Sequence, residues 1–187
     1  MEYPLVMPLV RQGVRMVQLK LRTYPDPILR AVCPALREVT DAELARARDM
    51  LELMYTLEGA GLAGPQVGWE SRVLTVDVER SMEGERIFVN PRIISMEGEQ
   101  TDEEGCLSLP GIRVPVTRAR QMALVAYTIK GERVEFEVQD LTARAWQHEI
   151  DHLNGIMLID HLDAVTLTSL RQELKRLERA AEEHGGD

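Results

Sequence analysis

A single domain of mixed helix and strand is what this sequence predicts. Apolar residues recur at helical spacing in three stretches, near 40–58, 140–154 and 166–183. Four others, 72–78, 86–90, 121–129 and 133–138, read as strands. With 187 residues, 44% of them hydrophobic, the chain has the material for one sizeable core. Aromatics make up only 4%, so Leu, Val, Ile and Met must fill that core, and the nine methionines read as packing residues.

In chain order, "YPDPILR" (24–30) carries two prolines and predicts a turn into a short helix. Thr40 and Glu43 then form a T-x-x-E capping box, followed at helical spacing by Leu44, Ala47, Leu51 and Met54, with Gly59 placed to end the helix. The glycine-rich "GAGLAGPQVG" (59–68) leads to strands over 72–78 and 86–90, joined by a turn at "EGE". Strands 121–129 and 133–138 flank Lys130-Gly131-Glu132, and Val134, Phe136 and Val138 alternate with charged residues as in a half-buried hairpin arm. A helix over 140–154 stops at Gly155. A last helix near 166–183 lines up Leu167, Leu170, Leu174 and Leu177 and carries four basic and four acidic residues from Arg171 to Glu183.

Charge and cysteine content exclude several classes of function. A net charge of −9 argues against direct nucleic-acid readout, which rests on neutralising phosphates. No apolar run reaches the roughly 18 residues that a membrane span needs, and "YPLVMPLV" has the wrong polarity for a secretory signal. Two cysteines in a chain of this length fit a reducing compartment, so a cytoplasmic location is expected. Cys33, before Pro34 among apolar residues, reads as packing.

The chemistry is concentrated in "QHEIDHLNG" (147–155). On an α-helix a four-residue step turns about 400° and rises about 6 Å, so His148 and His152 leave one face and can share an ion. Glu149, rotated about 100° from His148, stands beside that ion without having to ligate it. Asp151 and Asp160 are candidate partners for the distal ring nitrogens. A catalytic site of this kind takes three protein ligands. Asp160, His161 and Asp163 offer themselves downstream, none at a recognised spacing, and Cys106 in "EEGCLSLPG" (103–111) offers itself upstream.

Three stretches, "GAGLAGPQ" (59–66), "EGCLS" (104–108) and "QHEIDH" (147–152), taken together in this order, resemble the peptide deformylase family from about Tyr24 to the last helix. That resemblance implies an α+β fold in which β-sheets surround a central helix carrying the H-E-x-x-H motif, with a C-terminal helix. Met16 as an alternative start would leave 1–15 as an extension of uncertain role, and the resemblance makes 16–187 a single catalytic domain. It makes Cys106 the third ligand beside His148 and His152. The working metal it implies is Fe2+, with Zn2+, Ni2+ or Co2+ as substitutes, although thiolate and imidazole donors also suit zinc.

The implied reaction is removal of the N-formyl group from the N-terminal methionine of new polypeptides, with release of formate. Glu149 would carry the proton, and the Gln66 amide and Leu107 N–H would donate to the oxyanion. Gly61 and Gly105 would admit an extended peptide, Ala60 and Leu141 would line the pocket for its first side chain, and Arg113 would touch it further along. The C-terminal helix, through Arg171, Lys175, Arg176 and Arg179, would allow ribosome association. Two departures from the family pattern stand out. Ala60 replaces a larger aliphatic, widening the pocket, and Gly64 replaces an alanine, loosening the segment that holds Gln66.

Overall fold

The computed structural model describes residues 19–184, so the extension expected at 1–15 lies outside the described residues. A five-stranded antiparallel sheet has the order β1-β2-β3-β6-β7, from β1 (Gly61–Ala63), β2 (Val73–Val76), β3 (Ile87–Glu97), β6 (Gln121–Thr128) and β7 (Arg133–Gln139). The strands β4 (Gln100–Cys106) and β5 (Leu109–Arg118) form a separate hairpin. Helix α2 (Asp140–Leu153) lies between the two sheets, as the family fold requires.

Strand alternation explains how the large sheet serves two cores. Leu74, Val76, Phe88, Met122, Leu124 and Ala126 turn to one face, where Ala143, Trp146, Ile150 and Leu153 of α2 cover them. Val73, Ile87 and Val89 turn to the other, where Ala47, Met50 and Met54 of α1 (Asp41–Thr56) pack. Trp146 turns its ring into this cluster, tilted against Phe88 at 4.7 Å and edge-on to Phe136 at 5.4 Å. Cys33 joins the same cluster, and burial pushes its thiol up to about 11, as a packing cysteine should be.

A third cluster seats the hairpin. Ile112, Val114 and Val116 of β5 meet Leu29, Met157, Leu158 and Leu174. The sequence reading missed β4 because Gln100 to Glu104 are all polar and show no alternation, and the extent of β5 because Pro110 and Pro115 interrupt its pattern. A two-stranded hairpin tolerates them, since each strand has one open side where no N–H partner is needed.

Two helix boundaries differ from expectation. The capping box at Thr40 and Glu43 is present, but Glu58, not Gly59, takes the left-handed conformation (φ 58°) beyond the end of α1. The last helix is broken at Leu170 into α3 (Ala164–Ser169), capped by Asp163, and α4 (Arg171–His184). The break lets Leu170, Leu174 and Leu177 fold back onto the hairpin core while Val165 stays in solvent.

Candidate metal centre

The end of β4 and one face of α2 bring Cys106, His148 and His152 together, with their donor atoms all within 4.8 Å of one another. Cys106 Sγ is 3.2 Å from His152 Nε2. His148 turns its Nδ1–H to Glu104 Oε2 at 3.0 Å, which leaves Nε2 for the centre. These three residues are the upstream candidate and the helix pair, while the downstream candidates are engaged elsewhere. Asp160 pairs with Arg30 and accepts from the Met157 N–H, Asp163 caps α3, and His161 donates to Asp151.

The orienting groups were misread from sequence. Neither Asp151 nor Asp160 touches a ligand ring. Glu104 holds His148, while the buried Nδ1 of His152 has no partner among the described residues. Glu104 sits just before Gly105-Cys106, and that adjacency was the available signal. Burial alone would raise the Glu104 carboxyl, but hydrogen bonds from His148 and Arg118 hold it well below the usual carboxylate range. Arg144 adds a further donor at 2.6 Å.

Burial lowers both histidines, yet hydrogen bonds with Cys106 and Glu104 outweigh it at His148, which ends above its ordinary value. His152, pressed further by the charge of His148, ends well below. Glu149 is 4% exposed with Oε2 unpartnered among the described residues, and burial pushes its carboxyl up to about 7 against the opposing pull of His148.

Gln66 reaches the same place from the turn after β1. Its Oε1 accepts from the Ala63 N–H at 2.8 Å, so its Nε2 is aimed at Ser108 Oγ (3.1 Å) and Cys106 Sγ (3.7 Å). Gly64 does not loosen this turn. A Cβ there would fall 2.6 Å from the Trp69 carbonyl oxygen and 2.7 Å from that of Ser71, so the backbone is packed too closely for alanine.

Leu107 occupies the turn between β4 and β5, beside Cys106. Gly61 abuts Glu149, and Gly105 abuts Arg113. Ala60 is exposed, with its carbonyl accepting from the Asp77 N–H. Leu141 is 59% exposed, two helical turns before His148 on the same side of α2.

One sulfur and two nitrogens fit a borderline divalent ion such as zinc or ferrous iron, and three protein donors rather than four leave a position for a reactant. With a buried carboxylate alongside, the arrangement is the kind a metal-dependent hydrolase requires. A family model described as polypeptide deformylase matches residues 18–167. The chain belongs to that family, the metal-dependent enzymes that remove the N-formyl group from nascent polypeptides.

Its relatives include peptide deformylase 1 of Clostridium perfringens, 45% identical over 141 residues (75% of this chain and 95% of that protein). The peptide deformylase of Endomicrobium trichonymphae is 40% identical over 168 residues (89% and 99%). Among solved structures, Arabidopsis thaliana peptide deformylase 1B superposes with a TM-score of 0.83 at 34% identity (89% and 94% covered). The Plasmodium falciparum enzyme gives 0.84 at 34% (90% and 100%). No helix among the described residues is long and apolar enough to cross a membrane.

Proposed function

We propose that Cys106, His148 and His152 hold Fe2+, with Zn2+, Ni2+ or Co2+ able to replace it, and that residues 16–187 form one catalytic domain acting on N-formyl-Met peptides in the cytoplasm. The observation that carries this reading is the convergence of those three donors within 4.8 Å beside the buried Glu149. An ion held there supplies Lewis acidity, acidifying water and polarising the formyl oxygen.

The side chains divide the remaining work. Glu149, with a carboxyl near neutrality, accepts a proton from water at its free oxygen and returns it to the leaving amine. Gln66 Nε2 and the Leu107 N–H donate to the oxygen on which negative charge develops. Gln66 suits this because its own oxygen is already tied to Ala63 and its amide cannot turn over without breaking that bond. β1 is an edge strand of the large sheet, so an extended peptide can pair with it next to Gly61 and Gly105. Ala60 and Leu141 line the pocket for the first side chain, and Arg113 contacts the peptide beyond it. The basic residues Arg171, Lys175, Arg176 and Arg179 of α4 support docking at the ribosome.

The test is anaerobic purification, metal quantification and an assay of formate release from formyl-Met peptides after loading with iron or zinc. Iron-loaded protein should be the faster. Equal or higher activity with zinc would overturn the choice of metal, and no formate with either would overturn the reaction.

A further inference from the structure

His161, considered above as a metal ligand and not used as one, closes a continuous run of hydrogen bonds that ends on His148. Its Nε2–H donates to Asp151 Oδ2 at 2.7 Å. The same carboxylate oxygen accepts from Arg118 Nη1. Arg118 is buried, and its other two donors lie on Glu104, Nε to Oε1 at 3.0 Å and Nη2 to Oε2 at 3.1 Å. Glu104 Oε2 is also the atom that accepts from His148 Nδ1.

The division of Glu104's oxygens makes this run directional. Arg144 bonds Oε1 and two backbone carbonyls, so it anchors the carboxylate as a whole. Oε2, which the metal-ligand ring uses, is shared only with Arg118 Nη2 among the described residues. A guanidinium is a rigid planar fork, so a change in the hold on one prong rotates the others. Asp151 grips Nη1, and His161 in turn fixes which way Asp151 faces.

We infer that His161 is a positioning residue for the metal centre, orienting the His148 imidazole through Asp151, Arg118 and Glu104 from a side chain that lies 29% exposed in a surface cleft beside α2. This rests on the assignment of His148 as a ligand. Outer partners of ligating histidines typically change metal affinity by about 10- to 100-fold, and His161 stands three bonds further out.

The experiment uses the full chain loaded with cobalt, following the thiolate-to-cobalt absorption band and the rate of cobalt transfer to a chelator. His161→Ala should release cobalt roughly three- to tenfold faster with a shifted band, while its metal-free unfolding midpoint stays at the wild-type value. His161→Gln, whose amide nitrogen can take the place of ring Nε2, should recover the slower release. Unchanged release in the Ala variant, release that rises only in step with lost fold stability, or a Gln variant as fast as Ala would each overturn the inference. Cobalt binding unaffected by Cys106→Ser would instead overturn the ligand set itself.

Discussion

A methyl group at position 61 would sit 2.5 Å from Oε1 of Glu149, and 2.8 and 2.9 Å from its Cγ and Cδ. Glycine at the edge of β1 is therefore what allows the carboxylate to stand against the strand. Because Glu149 is buried on a helix held between two sheets, an intruding methyl must turn its side chain. Gly61→Ala is expected to lower kcat for formate release by about 100-fold, in line with the cost of misplacing a reacting group by roughly 1 Å. Metal content measured on the same sample should equal that of the wild type.

Gln66 is expected to act on the transition state more than on peptide binding. Gln66→Ala removes the amide aimed past Ser108 toward Cys106 and should cost about 10²–10³ in kcat with a much smaller change in KM. Steady-state kinetics on a formyl-Met peptide separate the two. A rise in KM alone would show that Gln66 only holds substrate.

Trp146 anchors α2 in the core, its ring tilted against Phe88 and edge-on to Phe136, and is 2% exposed. Trp146→Ala is expected to cost roughly 3–5 kcal/mol in urea unfolding. Val32→Ala, at a position 73% exposed, should stay within about 0.5 kcal/mol.

Acid should loosen the β2–β3 connection through Asp77. Burial raises its carboxyl, but hydrogen bonds from the Tyr55 hydroxyl and the Met82 and Ser81 N–H groups outweigh this and hold it below its ordinary value. A lowered carboxyl stabilises the fold above its unfolded value, about 3.9, and that contribution is lost as pH falls through the lower folded value. Asp77→Asn should therefore lower the free energy of unfolding at pH 7 by about 1 kcal/mol, with the gap from wild type narrowing below pH 4. A gap constant with pH would contradict this.

What the sequence revealed was what depends on near neighbours. The Thr40–Glu43 cap, the 133–138 alternation and the one-face placement of His148 and His152 are all set within a few residues, and each was legible. The link from Cys106 to those histidines came from three motifs read together, since it spans 46 positions to His152. Glu104, Arg118 and Arg144 were not legible, because a buried ion-pair network looks like surface charge until the strands and helix that enclose it are placed. The break at Leu170 was hidden for a similar reason: the leucine stripe runs on, and only the hairpin core decides that its two halves point differently. Gly64 was misjudged because the crowding by Trp69 and Ser71 comes from backbone, which carries no residue signature.

Proton transfer by Glu149, beside a metal it does not ligate, is the central proposal for this site. Glu149→Gln, loaded with iron under anaerobic conditions, should keep its full metal content and lose about 10²–10⁴ of the kcat for formate release from a formyl-Met peptide. Formate release near the wild-type rate at equal metal content would contradict it.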